Sequence, residues 1–412
     1  MMSDNGNLVP QIRFKGYTVA WGQRKVEDFA QVGTGNKDTQ DAVAEGEYDF
    51  YVRSPNIEKI NSYSFDGEAV LTVGDGVGVG KVFHYVTGKF DYHQRVYKIS
   101  DFVGVDGMYF YYYFAQNFIK ESQKYNAKTS VDSVRRDMIT KMDIPCPEIA
   151  EQTAIGNFFR TLDNAALFQQ RKLGVLKELK KGYLQQMFPQ SGEKVPRLRF
   201  AGFSGEWQGR KLGEIGKTQS GIGFSEIEQG GTEGIPFFKV SDMNLQGNEN
   251  IMQSSNNYVS ATQIESRRWN VITSVPAIIF AKVGAALLLD RKRLVYEPFL
   301  IDNNLMAYLF DETWDIDFAK ALFETINLSK YAQVGALPSF NGSDIEMIEI
   351  IRPHHSEQIA IGNFFRNLDE QISAQQAKLD KLKQLKQAYL QKMFIYHQKR
   401  HSQVPFLVVT QA

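Results

Sequence analysis

The sequence predicts an α+β protein with an internal pseudo-twofold repeat, in which two modules of mixed helix and strand are joined by two long antiparallel helices. Two observations carry this prediction. Residues 151–188 and 357–394 align without gaps and share 24 of 38 residues, where average usage would give about two or three. A second repeated pair, 9–25 and 195–211, stands at the start of each module.

The composition is typical of a soluble globular protein, with 43% hydrophobic and 23% charged residues. A chain of 412 residues predicts two to four domains. The formal net charge is zero, so a nucleic-acid partner would require locally sorted charge or phosphate attraction supplied by another protein. The single cysteine, Cys146, excludes a disulfide scaffold and fits a reducing cytoplasm.

No secretory signal or membrane span is expected. The N-terminus lacks a basic region followed by an apolar core. The most apolar stretch, VPAIIFAKVGAALLL (275–289), is shorter than a membrane span and carries Lys282. It predicts a buried hairpin, and the protein is expected in the cytoplasm.

The repeats set the expected domain bounds. Between them lie two segments that barely resemble each other and differ in length. We expect a first module in 1–150, a constant helix in 151–188, a linker and second module in 189–356, a second constant helix in 357–394, and a tail in 395–412. The tail resists assignment, although its VPFLVV faintly echoes the repeated VPRLRF.

The first module mixes strand and helix patterns. YDFYVRS (48–54), AVLTV (69–73) and RVYKI (95–99) predict strands, and YFYYYFAQNFIKES (109–122) predicts a helix. The glycines of VGDGVGVGKVF (73–83) do not fit G-x-G-x-x-G, and its Gly-Lys pair is followed by valine. A glycine-rich hairpin is therefore favoured over a nucleotide site.

The second module has the same mixture. IPFFKVSD (235–242), AIIFAKVG (277–284) and NLMAYLF (304–310) predict strands before the helical FAKALFETI (318–326). Between AIIFAKVG and LVYEPFLI, DRKR (290–293) predicts a basic loop tip. GEIGKT (213–218) lacks the first glycine of a phosphate-binding loop, so it is interpreted as a turn into the module.

The constant segments predict amphipathic helices of about 57 Å each, at 1.5 Å per residue. One such helix cannot bury its stripe of apolar side chains alone. Its obvious partner is its own repeat, packed antiparallel so that the two modules are inverted. Duplex DNA has the same kind of dyad. Alternatively, the helices merely build a core. The expected packing residues are Ile155, Phe158, Leu162, Leu173, Leu176, Tyr183, Ile361, Phe364, Leu368, Leu379, Leu382 and Tyr389.

The chain resembles the specificity subunits of Type I restriction–modification systems. PEIAEQTAIGNFFRTLD (147–163) and PHHSEQIAIGNFFRNLD (353–369), each followed by a Leu/Lys helix, are similar to that family's conserved regions. The W-x-x-[RK]-K-[VL] words at Trp21 and Trp207 are similar to the start of its target-recognition domains.

The resemblance implies a non-catalytic protein that binds double-stranded DNA. Each module would be a target-recognition domain for one half of a split site, and the constant helices would fix the gap and dock two methyltransferase subunits. Those partners would bring S-adenosylmethionine, and restriction subunits would bring ATP- and magnesium-dependent chemistry. The alternative is a two-headed, non-enzymatic scaffold that binds proteins or small ligands.

Motifs for independent chemistry are not found in the sequence. The sequence lacks the Pro-Pro dipeptide expected of an amino-methyltransferase site, and its histidines are not spaced as metal ligands. Asp163 and Asp369 recur in the repeated Leu-Asp words, where polar contacts within the helix bundle are favoured over catalysis.

Basic and polar residues near strand ends and loop tips are the predicted DNA contacts. A solvated surface residue is the equally weighted alternative for each of them. They are Arg53, Lys59, Lys81, Lys89 and Lys128 in the first module, and Lys239, Lys282, Arg291, Lys292, Arg293 and Asn341 in the second.

Overall fold

The computed structural model describes residues 9–123, 133–333 and 338–395, together with the backbone of Leu407–Val409. Lys128, one of the predicted DNA contacts, lies outside the described residues.

The chain forms two compact units. Unit 1 contains residues 1–171 and 377–412, and unit 2 contains 172–376. Each unit combines strands and helices, which confirms the predicted α+β class. The division falls inside both long helices, so each helix contributes one part to each unit.

Unit 1 holds the first module. Its helices are α1 (Gly107–Gln123), α2 (Arg136–Thr140) and the first part of α3 (Ile149–Met187). Its strands are β1 (Ile12–Phe14), β2 (Gly22–Lys25), β3 (Gln31–Thr34), β4 (Tyr48–Tyr51), β5 (Ile57–Ile60), β6 (Phe65–Asp66), β7 (Ala69–Val73), β8 (Phe83–Val86), β9 (Lys89–Tyr92), β10 (Val96–Ser100) and β11 (Asp143–Cys146).

Two four-stranded sheets form this module. One is antiparallel with the order β3-β10-β7-β8, and the other has the order β5-β4-β9-β6, in which β4 and β9 run parallel. The antiparallel pairing of β7 with β8 confirms the predicted glycine-rich hairpin. Strand β2 pairs with β11, which brings the start of the module to its end.

Unit 2 holds the second module. Its strands are β12 (Gln208–Lys211), β13 (Gly216–Ser220), β14 (Ile235–Phe238), β15 (Tyr258–Val259), β16 (Ala277–Ala281), β17 (Lys292–Val295), β18 (Leu300–Ile301), β19 (Leu305–Phe310) and β20 (Glu349–Arg352). Its helices are α4 (Ala261–Arg267), α5 (Ala285–Leu288), α6 (Ile316–Thr325), α7 (Gly342–Glu346) and the first part of α8 (His355–Met393).

The two modules share one topology despite their dissimilar sequences. The sheet order β13-β19-β16-β17 repeats β3-β10-β7-β8, and β15-β14-β18 repeats β5-β4-β9. The pairing of β12 with β20 repeats that of β2 with β11. Strands β16 and β17 pair antiparallel, but the hairpin is longer than predicted, because the second half of 275–289 forms α5 and β17 begins only at Lys292. At the level of the fold, the internal repeat therefore extends through the described strands of both modules.

Aromatic residues of α1 form much of the unit 1 core. Tyr109, Phe110, Phe114 and Phe118 are fully buried and recur at one- and four-residue steps, which places them on one broad face of the helix. The corresponding α6 of unit 2 buries Phe318 in the same way. Each module thus packs one helix against its antiparallel sheet.

The long helices run antiparallel within each unit. In unit 1 the beginning of α3 meets the end of α8, where the rings of Phe158 and Tyr389 lie 5.0 Å apart, edge to face. In unit 2 the end of α3 meets the beginning of α8, where Tyr183 and Phe364 lie 4.9 Å apart. The two contacts involve equivalent residues of the repeat, so the antiparallel arrangement predicted from the sequence is confirmed.

Ion pairs between equivalent residues also join the two helices. Asp163 on α3 pairs with Lys386 on α8 in unit 1, and Asp369 on α8 pairs with Lys180 on α3 in unit 2, the latter at 2.7 Å. Asp163 also accepts a hydrogen bond from the Tyr112 hydroxyl at 2.7 Å. The aspartates of the repeated words therefore make polar contacts within the helix bundle.

The predicted packing residues lie on the inner stripe to different depths. The neighbouring Phe159 and Phe365 are more deeply buried than the predicted Phe158 and Phe364. Among the predicted residues Ile155, Leu173, Ile361, Leu368 and Leu379 are buried, and Phe158, Leu162, Leu176, Tyr183, Phe364, Leu382 and Tyr389 are half-buried.

The C-terminal tail returns to the start of the chain. Its strand β21 (Leu407–Val409) pairs in parallel with β1, with Arg13 opposite Val408. Strand β21 lies in VPFLVV, and β1 lies in the first copy of the word that this segment echoes. The tail segment that resembles the repeated sequence therefore pairs, through β21, with the first copy of that sequence in β1.

Candidate nucleic-acid interface

The two repeated words of each unit contact each other through a buried ion pair. In unit 1 the guanidinium of Arg13 donates two hydrogen bonds to the Glu151 carboxylate, at 2.6 and 2.7 Å. In unit 2 Arg199 donates two to Glu357, both at 2.7 Å. Such bidentate pairs fix both distance and orientation. They attach the segment preceding each module to the first turn of a long helix.

The glutamine that follows each glutamate anchors the module itself. Gln152 accepts a hydrogen bond from the backbone N–H of Asp106 at 2.9 Å, and Gln358 accepts one from Asp315 at 3.1 Å. Each glutamine also donates to the carbonyl of the proline five residues earlier. Asp106 and Asp315 precede α1 and α6, so the constant helices hold the start of each module helix.

A cluster of charged side chains lies at the carboxyl ends of β4, β7 and β9 in unit 1. The Asp75 carboxylate lies 3.4 Å from Arg53 Nη1 and 3.6 Å from Arg95 Nε. The side chains of Arg53 and Arg95 are 51% and 64% exposed. We call Arg53, Asp75, His93 and Arg95 the first loop cluster. The Asp75 carboxylate is therefore shared by two exposed guanidiniums.

The floor of the first loop cluster is neutral. His93 is buried, and its Nδ1 accepts a hydrogen bond from the Arg95 backbone at 2.9 Å. Its Nε2 has no hydrogen-bond partner among the described residues and lies 3.9 Å from Asp38. Burial lowers the pKa of His93, so the ring is neutral near pH 7. Burial also raises the pKa of Tyr51, at the end of β4, to about 12.

The glycine-rich hairpin packs closely on this cluster. A Cβ added at Gly78 would lie 2.7 Å from the Arg53 carbonyl oxygen, closer than real side chains approach. Gly76 has a φ of 78°, in the left-handed region that favours glycine. The glycines therefore let the hairpin approach Arg53. This close approach explains the glycines without a nucleotide-binding site.

Backbone hydrogen bonds identify the equivalent site in unit 2. Gly74 donates to the Arg95 carbonyl at 2.7 Å, and Lys282 donates to the Asn304 carbonyl at 2.9 Å. Arg95 and Asn304 each precede the corresponding strand, β10 or β19. We call Lys239, Lys282, Asn304 and Asn341 the second loop cluster. The scaffold is repeated at this place while its side chains differ.

The structure brings together some of the predicted contacts of the first module. Arg53 belongs to the first loop cluster, and the exposed Lys81 lies in the adjoining hairpin. Lys59 lies instead at the opposite end of β4, where it pairs with Asp49 at 2.8 Å. Lys89 begins β9 at that same opposite end, with its ammonium 4.6 Å from the centre of the Tyr63 ring.

In the second module three predicted contacts lie in the second loop cluster. Lys282 follows β16, and Asn341 precedes α7 in the segment bridged to the hairpin by Val283 and Ser339. Lys239 follows β14, and its ammonium donates to Gln229 at 2.9 Å. These residues come from three separate stretches of the chain.

The expected basic tip at 290–293 requires correction. Helix α5 follows β16, so Lys292 and Arg293 are the first residues of β17. The Lys292 side chain is only 4% exposed and binds Asp290 at 2.7 Å and the Ile326 carbonyl at 2.7 Å. It points inward and is not placed to meet a phosphate. Arg291 contacts Asn244.

Arg293 is partly buried rather than free at a tip. Burial, together with the neighbouring charge of Arg291, lowers its guanidinium pKa. Its Nε has no hydrogen-bond partner among the described residues, while Nη1 donates to the Lys292 carbonyl at 2.9 Å.

Sequence reasoning missed Asp75, His93, Arg95 and Asn304. Arg95 and Asn304 are the first residues of the predicted strands RVYKI and NLMAYLF, so strand boundaries carry a signal for them. Asp75 and His93 are recognisable only through the long-range pairing that brings three loops together.

The described ranges contain no group of three or more histidine, cysteine or acidic side chains arranged to hold a metal ion. None of their helices is both long enough and apolar enough to cross a membrane.

The fold and the duplicated site define a two-module protein whose modules are tied to a pair of antiparallel helices. The family model described as Type I restriction modification DNA specificity domain matches this chain twice, over residues 18–178 and 204–384. Because the two matches cover most of its length, the chain belongs to that family.

Similar proteins agree with this assignment. The specificity subunit of the Type I restriction enzyme EcoDI from Escherichia coli is 29% identical over 144 residues, which are 35% of this chain and 31% of that relative. The matched region thus spans less than a third of that relative's length.

Two solved structures have a similar fold. An S subunit of a Type I restriction–modification system from M. genitalium superposes with a TM-score of 0.66, at 13% identity, covering 95% of this chain and all of that one. A chain from a Type I system studied for complex assembly and conformational transition has a TM-score of 0.55, at 14% identity, with 92% and 98% coverage. At these identities the likeness concerns the fold.

Proposed function

We propose that this chain is the DNA-specificity subunit of a Type I restriction–modification complex. Each module recognises one half of a bipartite site in double-stranded DNA, and the chain itself performs no chemistry. The observation that carries the proposal is the duplicated family match together with one topology repeated in both modules. Two equivalent binding modules related by an internal repeat suit the dyad of duplex DNA.

The loop clusters support the assignment of the recognition sites. The first collects side chains from three loops and the second from four separate stretches of the chain, and the first carries two exposed guanidiniums. Arginine, lysine and asparagine at such positions donate to phosphates and to base edges in the major groove. Because the net charge of the chain is zero, partner subunits supply part of the phosphate attraction.

The long helices are proposed to dock two methyltransferase subunits and to set the gap between half-sites. Each is a continuous helix of 39 residues. Apolar side chains on both remain exposed, including Leu167, Phe168, Val175 and Leu385. Exposed apolar patches commonly mark protein interfaces. The methyltransferase subunits bind S-adenosylmethionine and methylate adenine, and restriction subunits add ATP- and magnesium-dependent cleavage.

Co-expression tests this proposal. The chain is expressed with the adenine methyltransferase encoded beside it, in a host without other adenine methylation, and methylated positions are mapped by long-read sequencing. We expect methylation at one split site only when both proteins are present. A purified chain that methylates DNA with S-adenosylmethionine alone, or a pair that methylates no defined site, would refute the proposal and favour a scaffold of another kind.

A helix insertion tests the spacing role. Two whole turns inserted at the exposed Gly174 of α3, with an equal insertion in α8, keep the helical phase. We expect an altered gap between unchanged half-sites. A matched control inserts the same number of residues into the exposed segment 190–192, where both helices stay intact. An unchanged gap after the helix insertion would remove the spacing role.

A further inference from the structure

We propose that Arg95 and Asn304 are the specificity-determining residues at equivalent positions of the two modules, with Arg95 recognising a guanine and Asn304 an adenine. This inference rests on the proposed function and names the chemistry by which the same sites select bases. Arg95 lies in the turn between β9 and β10, and Asn304 lies in the turn between β18 and β19.

The two turns occupy the same place in the scaffold. The carbonyl of Arg95 accepts from Gly74 N, and the carbonyl of Asn304 accepts from Lys282 N. The two residues that donate these bonds, Gly74 and Lys282, also accept a second equivalent pair. Gly74 O accepts from Val134 N at 2.7 Å, and Lys282 O accepts from Phe340 N at 3.2 Å. The backbone is thus constant while the exposed side chain changes.

The backbone of each turn is held from below by a buried side chain. In unit 1 His93 Nδ1 accepts from the Arg95 N–H at 2.9 Å. In unit 2 the buried Asp302 accepts from the Asn304 N–H at 3.2 Å and from its side-chain Nδ2 at 3.0 Å. Both turns therefore present their side chain from a fixed backbone, which lowers the entropy lost on binding.

The side-chain donors of Arg95 are available for bidentate recognition. Its side chain is 64% exposed, and Asp75 engages the Nε at 3.6 Å. No described residue accepts a hydrogen bond from its Nη atoms. A guanidinium edge of this kind matches the O6 and N7 acceptors of guanine. The nearby Asp75 carboxylate orients the group and opposes a phosphate in the same place, since it carries the same sign of charge.

Asn304 offers a different pattern of donors and acceptors. Its exposed amide uses one Nδ2 hydrogen for Asp302, and its Oδ1 has no partner among the described residues. The remaining Nδ2 hydrogen and Oδ1 match N7 and the N6 amino group of adenine. The two modules therefore differ, at one shared position, by the two side chains that distinguish purines in the major groove.

The test measures base preference at each half-site. Chains carrying Arg95→Ala or Asn304→Ala are co-expressed with the methyltransferase, and methylation is mapped at sites that differ from the target by one base pair. Exchange of residues 26–150 first assigns each half-site to its module. We expect Arg95→Ala to reduce discrimination about 5- to 150-fold at one G·C pair of the first half-site.

Asn304→Ala should act likewise at one A·T pair of the second half-site. Arg95→Asn should shift the first preference towards A·T. The control is Arg197→Ala, because Arg197 is a similarly exposed arginine paired with Glu193, in the segment between α3 and the second module. Thermal unfolding of each purified variant, compared with the unsubstituted chain, detects any loss of folding.

Two results would overturn the inference while leaving the proposed function intact. One is unchanged base preference in a folded Arg95→Ala or Asn304→Ala complex. The other is a uniform loss of methylation at all sites, which identifies a phosphate contact. If instead the unsubstituted pair methylates no bipartite site, the proposed function fails first.

Discussion

Replacing Arg13 by methionine should strongly destabilise unit 1. The side chains of Arg13 and Glu151 are 11% and 0% exposed, and two hydrogen bonds of 2.6 and 2.7 Å join them. Methionine keeps much of the aliphatic volume of the arginine but donates no hydrogen bond. The Glu151 carboxylate would then remain buried without its countercharge.

The expected magnitude follows from that uncompensated charge. Removing one partner of a buried ion pair costs about 3–5 kcal/mol. For a unit of about 200 residues, each kcal/mol lowers the unfolding temperature by about 2–4 °C, so the expected decrease is roughly 6–20 °C. Replacing both partners, Arg13→Met with Glu151→Leu, removes the buried charge and should recover most of the loss.

Calorimetry of the full chain measures the effect, and a double-mutant cycle isolates the pair. The control is Lys194→Ala, which breaks an ion pair whose side chains are 62% and 66% exposed, where about 0–1 kcal/mol is expected. The reasoning is wrong if Arg13→Met costs less than the control. It is also wrong if the double variant is destabilised by the sum of the two single substitutions.

Two further predictions concern a pair of glycines and one histidine. Gly362→Ala should destabilise unit 2, because its Cβ would overlap the Asp315 carboxylate and lie 2.7 Å from Phe318 N. Gly174→Ala, in an open stretch of α3, should instead stabilise the helix by about 0.5–1 kcal/mol. Chemical denaturation measures both changes in the free energy of unfolding, and two changes of the same sign would contradict the packing described for Gly362. Burial lowers the pKa of His93 below the ordinary 6.5, so the unfolded chain binds protons first as pH falls. Stability should therefore decrease below about pH 6.5, and His93→Gln should flatten that dependence; a slope unchanged by the substitution would show that His93 does not carry it.

The long helices were the most predictable part of the fold. The repeat set the bounds 151–188 and 357–394 and the apolar stripe predicted helices there, and the structure has Ile149–Met187 and His355–Met393. Periodicity suffices there because a helix is specified by local spacing. The antiparallel partner was also predictable, because a repeat within one chain supplies a matching stripe.

The likeness of the two modules was not predictable from residue identity. Their shared topology rests on backbone hydrogen bonds, such as those from Gly74 and Lys282, which many side chains permit. The buried Gln152 illustrates a similar limit. A glutamine on a helix suggests a solvated position, and only the packing of the module against the helix shows that it holds the start of α1.

The recognition residues were only partly predictable, because composition does not show whether a side chain points to solvent or into the protein. The basic run at 290–293 suggested a solvent-facing tip, but strand alternation turns Lys292 inward to Asp290 and a carbonyl. Conversely, Arg95 gained its significance from Asp75, which is distant in sequence and adjacent in space. Sites assembled from several loops depend on long-range pairing that local patterns do not encode.

The most direct test of the whole account is a module exchange followed by methylation mapping. Residues 26–150 are replaced by the corresponding segment of another family member, and the chimaera is co-expressed with the same methyltransferase. We predict that one half-site changes while the other half-site and the gap are retained. A change in both half-sites, or in neither, would contradict the claim that two independent modules each recognise one half of the DNA target.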